Sequence, residues 1–333
     1  MLKLSMLDQS PIPKGSTATE ALNRTKQLAQ LGDELGYHRF WLAEHHSSTS
    51  LASSAPEVTA AYIAAMTERI RVGTGGVMVM HYSPYKIAEV FKTISALAPG
   101  RVDFGAGRAP GGDSYAMYAL AEGRRPHLTE QYDKIEIILN LLQDLPTGER
   151  VYDGVVASPT KVPLPEAWLL GSSGQSARQA GELGVGYAFA QFFNGQMTKE
   201  TFDAYKQAFI PSKLMETPEI LVTYAATVAP TQDEAEYLAK PLDIFRLNLM
   251  RGNITPTMSP EEAKDYYLTE MDLAMIEQNR RFNLVGTPEA VAETIQQEAA
   301  QYGFTEVMLN CNQYAMESRV QTYKLLAEQL LKS

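Results

Sequence analysis

The chain has 333 residues, 45% of them hydrophobic, which is enough apolar mass for one large core and a length that α/β barrels commonly use as a single unit. The formal net charge of −10, spread without acidic runs, argues against nucleic acid or an anionic membrane as partner. One cysteine, Cys311, excludes a disulfide framework and a cysteine zinc site, and no apolar run reaches the roughly 18 residues of a membrane span. Met1-Leu2-Lys3-Leu4 is too short for a secretion signal, so a reducing cytoplasm is the expected compartment.

Leu2 to Leu7 reads as a first strand, closed by the polar and turn residues Asp8-Gln9-Ser10-Pro11. Thr19 to Leu35 carries Leu22, Leu28, Leu31 and Leu35 at the spacing of a helix that buries one side, and Gly36 is a natural stop. His38 to Ala43 is the second strand. It ends in Glu44-His45-His46 and the polar Ser47-Ser48-Thr49-Ser50. Three ionisable groups just past a buried strand are costly without a partner or a task, and in a barrel of parallel strands the carboxyl ends are where chemistry sits.

Pro56 to Met66 predicts a second helix, rich in alanine, and Ile70 to Val79 a third strand interrupted by Gly73, Gly75 and Gly76. Glycine inside a strand marks a bulge or the close approach of something planar. Pro84 to Leu97 is a third helix and Arg101 to Ala106 a fourth strand. The repeated strand-then-helix unit with short links implies a parallel sheet with helices outside.

A long glycine-rich loop follows from Gly107 to about Pro126, and long loops in compact domains are usually functional. His127 to Leu142 predicts a helix, Val151 to Pro165 an inserted β excursion, and Ala167 to Leu170 a fifth strand. Gly171-Ser172-Ser173-Gly174-Gln175-Ser176 then opens a helix from Ala177 to Leu183. Tyr187 to Ala190 is a sixth strand leading to Gln191-Phe192-Phe193-Asn194, Thr198 to Ile210 a helix, and Glu219 to Val228 a seventh strand. From Asp233 to about Arg281 the rhythm breaks. A mobile lid and a plain helical excursion both fit that segment, whose lid-like part is residues 247–282. Thr287-Pro288-Glu289 starts a capped helix, Thr305 to Leu309 is an eighth strand, and Ala315 to Leu331 closes the chain. The expectation is a single (β/α)8 TIM barrel domain over residues 1–333, with an insertion before the last strand.

Several motifs carry chemistry, and each has a plainer reading beside it. The turn Gly171 to Ser176 presents backbone N–H groups at a helix start and three hydroxyls, suited to a phosphate, although a serine-capped turn has the same sequence. Arg108 follows the fourth strand, and its planar, permanently charged fork suits a phosphate; an exposed loop arginine is the alternative. Arg124 and Arg125 are weaker candidates of the same kind. His45 and His46 point opposite ways on an extended segment, so both binding one metal is awkward, and no clustered ligand set supports a metal site. One catalytic and one structural histidine fit better, with Glu44 orienting a histidine or the backbone. His81, Tyr82 and Phe192-Phe193 are either pocket wall or ordinary packing.

Taken together, Leu35-Gly36-Tyr37-His38-Arg39-Phe40-Trp41-Leu42-Ala43-Glu44-His45-His46, Arg71-Val72-Gly73-Thr74-Gly75-Gly76-Val77-Met78, Gly100 to Arg108, Gly171-Ser172-Ser173 with Ser176, and Val285-Gly286-Thr287-Pro288-Glu289 resemble the bacterial luciferase-like monooxygenases, flavin-dependent (β/α)8 oxidoreductases. The resemblance runs nearly end to end. It implies a catalytic role for His45, a non-prolyl cis peptide at Gly75-Gly76 against the flavin ring, and phosphate contacts from Arg108, Ser173 and Ser176. Gly171 and Ser172 complete the implied cofactor turn. Luciferase has a glutamate where this chain has Ser172 and a reactive cysteine where it has Gly107, so aldehyde oxidation with light emission is not implied.

The implied activity is that of a two-component monooxygenase. A separate NAD(P)H-dependent flavin reductase supplies reduced FMN, dioxygen is the co-substrate, and one oxygen atom enters a small organic substrate while the other leaves as water. His45 serves as general acid/base because its reference pKa lies near neutrality. Relatives that use a deazaflavin for hydride transfer, a non-catalytic flavin-binding branch, and, from fold alone, a metal-dependent barrel hydrolase are the rival readings. A homodimer packed through outer helices is the implied assembly.

Overall fold

The computed structural model describes residues 2–124, 131–193 and 195–331. Eight parallel strands close into a barrel. They are β1 (Lys3–Asp8), β2 (Arg39–Leu42), β3 (Arg71–Thr74), β5 (Val102–Gly107), β6 (Glu166–Gly171), β7 (Gly186–Ala190), β8 (Ile220–Val228) and β10 (Glu306–Asn310). β10 bonds to β1 on one side and to β8 on the other, which closes the ring. Two short strands lie outside it: β4 (Val77–Met78) on the upper end of β5, and β9 (Asn283–Gly286) on the upper end of β8.

The helices form the outer layer, in the order α1 (Ala18–Leu35), α2 (Pro56–Ala65), α3 (Pro84–Leu97), α4 (Ser114–Leu120), α5 (Gln131–Leu142), α6 (Arg150–Asp153), α7 (Gly174–Glu182) and α8 (Lys199–Ala208). They continue with α9 (Gln232–Met250), α10 (Pro260–Lys264), α11 (Glu270–Arg280), α12 (Pro288–Tyr302) and α13 (Met316–Leu330). Their starts follow the expected chemistry. Thr17 and Glu20 form a reciprocal cap on α1, and Thr287 caps α12 with Pro288 at its first position. Gly36 and Gly303 close α1 and α12 at φ 84° and 74°, the left-handed region a side chain disfavours.

The expected β excursion at Val151 to Pro165 is instead one helical turn, α6, and irregular chain. Pro159, Pro163 and Pro165 lack the N–H groups a strand would need. The third strand breaks after Thr74, where the Gly75–Gly76 peptide is cis, and resumes as β4. At the end of β3, Thr74 continues the pairing to β5 through its side chain, which donates to the Gly105 carbonyl and accepts from the Gly105 N–H. The expected helix from His127 is described only from Gln131, because residues 125–130 lie outside the described residues, as does Asn194. The segment that broke the rhythm is helical, α9 to α11, and it ends in the unanticipated strand β9. It lies across the carboxyl ends of the strands: Lys14, in the loop after β1, bonds to Thr257 and to Glu262, and Arg246 bonds to Phe192 just past β7.

Strand alternation sorts the barrel interior into layers. At the floor, Arg39, Arg71, Asp103, Glu166 and Glu306 face one another. Two positions higher sit Leu7, Trp41, Trp168, Leu221 and Met308, one apolar plug with the two indoles edge to face at 5.6 Å. Gly186 makes room for it, since a Cβ there would lie 2.4 Å from the Trp168 ring. Higher again, the inward positions are Ala43, Gly75, Gly107, Leu170, Ala190 and Asn310. Charged, then bulky, then small: side-chain bulk inside the barrel falls toward its carboxyl end.

Candidate active site at the barrel mouth

His45 stands at the tip of β2, and its environment keeps it neutral. Burial, helped by the neighbouring His46, pulls its pKa down to about 4. Its Nε2 lies 2.9 Å from the Gln9 side-chain nitrogen. An amide nitrogen only donates, so Nε2 accepts and the imidazole proton sits on Nδ1. Gln9 is itself oriented: its Oε1 accepts from Asn312 Nδ2 at 2.5 Å, and the same nitrogen donates to Asn310 Oδ1 at 2.8 Å. Gln9 and His45 follow β1 and β2, and Asn310 ends β10 with Asn312 just after it; these strands are adjacent in the ring. The chain of amides thus crosses three neighbouring strand tips and ends on the histidine.

His46 points elsewhere, as alternation requires. It bonds to Glu44 at 2.7 Å, and Glu44, fully buried, also accepts from the Tyr82 hydroxyl at 2.7 Å and the Met78 N–H at 2.8 Å. Glu44 therefore orients both a histidine and the backbone, and it anchors the segment after Gly75-Gly76. Those two glycines are required by close approach. A Cβ on Gly76 would lie 2.8 Å from the Gly105 carbonyl oxygen, and one on Gly75 would lie 2.9 Å from Leu7 and 3.0 Å from the Trp41 ring. His81 bonds to the Pro110 carbonyl and edges His46, part of the wall on that side.

Arg108 follows β5 and stacks on the Tyr132 ring with its guanidinium carbon 4.6 Å from the centroid. Its Nε is buried without a hydrogen-bond partner, and no carboxylate pairs with it among the described residues. The turn after β6 is next to it. Ser173 caps α7 and exchanges bonds with Ser176, and the buried Ser176 hydroxyl also meets the Tyr187 hydroxyl at 3.0 Å. Burial pushes the Tyr187 phenol up to about 12, opposed by its bonds to Ser176 and Ser173 and by the nearby Arg108 charge. Gly171 has no space for a side chain, since a Cβ would overlap the Ser176 hydroxyl. Ser172 and Ser173 are exposed, while Ser176 is committed to the turn. The structure forms the serine-capped turn: Ser176 builds it, and the first N–H groups of α7 have no intrahelical acceptor, which leaves them suited to an anion.

His45, Arg108, the glycine pair and the Gly171–Ser176 turn therefore share one end of one barrel. Arg124 instead pairs with Glu122 in an exposed loop, and Arg125 lies outside the described residues. Sequence reasoning missed Gln9, Asn310, Asn312 and Tyr132. The run Asn310-Cys311-Asn312-Gln313 after an apolar strand carries the same signal that singled out Glu44-His45-His46. Among the described residues no group of three or more His, Cys, Asp or Glu is arranged to hold a metal, and no helix is long and apolar enough to cross a membrane.

A cofactor phosphate and a flat ring fit what is present. The unpartnered Arg108 beside a helix start calls for an anion, and Gln191, Asn310 and Asn312 each leave a buried polar atom without a partner around a rim of small residues. The class this defines is a (β/α)8 protein with an arginine beside a helix start and a neutral histidine at the mouth. The family model for luciferase-like monooxygenases matches residues 2–306, and the chain belongs to that family. An N-acetyl-S-alkylcysteine monooxygenase of Bacillus subtilis (strain 168) is 37% identical over 99% of each chain. A luciferase-like monooxygenase of Escherichia coli (strain K12) is 34% identical, covering 97% of this chain and 96% of its own. The solved structure of apo-MsnO8 superposes with a TM-score of 0.91 at 33% identity, over 100% of this chain and 99% of that one. Two more distant solved structures share the fold: the oxygenating constituent of 3,6-diketocamphane monooxygenase in complex with FMN, at 18% identity and a TM-score of 0.73, and an F420-dependent secondary alcohol dehydrogenase, at 15% and 0.69.

Proposed function

We propose that the protein is the oxygenase component of a two-component monooxygenase, taking reduced FMN from a separate NAD(P)H-dependent reductase and using dioxygen to oxygenate a small organic substrate. The observation that carries this reading is Arg108, a guanidinium with a buried, unpartnered Nε beside the α7 start. Arg108, the hydroxyls of Ser172 and Ser173 and the first N–H groups of α7 would hold the phosphate, with Gly171 and Ser176 shaping the turn. Gly75 and Gly76 would let the flat ring approach the β3–β4 break. When bound, the reduced flavin supplies the electrons that activate dioxygen. Relatives named as monooxygenases at 34–37% identity favour this chemistry over hydride transfer.

His45 is neutral at neutral pH, so it can take a proton at Nε2 if Gln9 releases it and can donate from Nδ1. The apolar plug of Trp41, Trp168, Leu7 and Met308 closes the cavity from below and excludes water from that side. Val58 and Tyr62 on α2, with Met66 just past its end, face solvent, and this apolar face would pack against a second copy in a homodimer.

Oxygen uptake tests the reading. Reduced FMN and a substrate should give uptake matched to oxygenated product, whereas a reduced deazaflavin should give none. Substrate turnover with the deazaflavin and no oxygen consumption would contradict it. His45→Ala should keep FMN affinity and lose about a hundredfold or more in turnover.

A further inference from the structure

The tip of β10 carries two asparagines on the inward side of the ring, and each leaves half of its amide idle. Asn312 donates from Nδ2 to Gln9 Oε1 at 2.5 Å and to Asn310 Oδ1 at 2.8 Å. Asn310 Nδ2 and Asn312 Oδ1 are buried with no hydrogen-bond partner among the described residues. Asn310 is only 4% exposed, and its register neighbours are Leu7 on β1 and Ala225 on β8, whose side chains offer neither donor nor acceptor. Gln313, the next residue along, faces the other way and donates to Thr322 on α13 and to the Ala226 carbonyl. Desolvated polar atoms left unmatched are costly.

The idle pair is one donor and one acceptor, whichever way the amides face. Turning Gln9, Asn310 and Asn312 over together keeps every bond of the chain. Asn312 Oδ1 then accepts from Gln9 and Asn310, and Gln9 Oε1 accepts from a proton on His45 Nε2. Asn310 Oδ1 and Asn312 Nδ2 are left free instead, again one acceptor and one donor.

We infer that Asn310 and Asn312 recognise an amide group of the substrate, and that the substrate class is a small molecule carrying a primary or secondary carboxamide. The inference rests on the reading of the barrel mouth as the substrate site. A carboxamide accepts through its carbonyl and donates through its N–H. A carboxylate or an ester has nothing to donate, and an ammonium has nothing to accept with. A hydroxyl does both through a single atom, as water does; the amide offers the two roles on separate atoms, as the asparagine pair does. An amide seated there is held by the same chain of bonds that ends on His45. The imide edge of a flavin has the same chemistry, and the test separates the two.

That test is calorimetric titration of N-alkylacetamides, butyl to octyl, against the alkyl acetates, N-methyl-N-alkylacetamides, 1-alkanols and alkylamines of equal chain. It is run with and without FMN on the wild-type chain, on the double variant Asn310→Leu/Asn312→Leu and on Asn310→Asp. FMN affinity is measured separately on all three. If the wild type binds no FMN, the flavin reading fails and the titrations without FMN decide this one. The wild type should bind at least one N-alkylacetamide about tenfold or more tighter than each matched compound. The double variant should lose that preference with FMN affinity unchanged. Asn310→Asp turns the pair into two acceptors and should shift the preference toward the alkylamine. Wild-type protein that prefers no N-alkylacetamide overturns the inference, as does a double variant that keeps the preference. So does a variant that loses FMN affinity, or a preference that disappears once FMN is bound, since either would assign the pair to the flavin. If the double variant shows no cooperative thermal transition, the wild-type preference and Asn310→Asp decide alone.

Discussion

At the amino end of the barrel strands Arg39 bonds Glu306 through two nitrogens and Asp103 and Glu166 through a third, while Arg71 holds the other Asp103 oxygen. At the carboxyl end Arg108 has an aromatic ring and, among the described residues, no anion, and Asp8, Gln191, Asn310, Asn312 and Gln313 each leave a buried polar atom unmatched. The floor is a closed account of charge and the mouth an open one. Burial alone would raise the Asp103 carboxyl, but Arg39, Arg71 and the Trp41 indole hold it below the usual range. The same desolvation at His45 meets no carboxylate, and the imidazole goes neutral. One fold thus treats polar burial in two ways: paired groups fix the barrel at its floor, and at the mouth buried polar atoms are left unmatched.

The largest expected effect breaks the floor. Arg39→Met leaves Glu306 and Asp103 buried with fewer partners and should cost ~3–5 kcal/mol in denaturant unfolding. A loss below 1 kcal/mol would mean the floor is not the stabilising end.

The next concerns pH. A His45 pKa held at about 4 against an unfolded value near 6.5 means that the unfolded chain binds the proton first as pH falls. This contribution is complete above pH ~6.5 and is lost progressively down to about 4, to a total of up to roughly 3 kcal/mol. Unfolding of His45→Gln should be less sensitive to pH over that window than the wild type, and equal slopes would contradict the assigned environment.

Arg108→Ala should then separate the two ends. FMN affinity should fall by about 1.5–3 kcal/mol, while stability changes by no more than about 0.5 kcal/mol. An unchanged FMN affinity removes the anchor. The smallest effect is at Gln9. Gln9→Ala removes the donor that favours neutral His45 and should raise its titration midpoint, seen by NMR of the imidazole, by about one pKa unit or less. A lowered midpoint would sink the amide relay.

Much of this was legible in the sequence because strands and helices announce themselves by period, and because a short apolar run ending in Glu44-His45-His46 has few inexpensive explanations. The Gly75-Gly76 pair, Arg108 and the Gly171–Ser176 turn were legible for the same reason: each puts unusual residues at a strand end. Arg39, Asp103 and Glu306 were not singled out as a network, because their meeting depends on closure of the ring, which brings residues 39 and 306 together. Gln9, Asn312 and Arg246 look like ordinary polar residues until the fold shows what they touch. The run of prolines before β6 was misread as strand, although their missing N–H groups spoke against it.

The central claim is that the mouth is a flavin cradle whose unpaired cation is Arg108. A crystal structure of the protein soaked with FMN tests it most directly. The account predicts the phosphate between Arg108 and the Ser172–Ser176 turn, with the ring against Gly75-Gly76 on the His45 side. A phosphate bound elsewhere, or a ring that cannot enter between these elements, would contradict it.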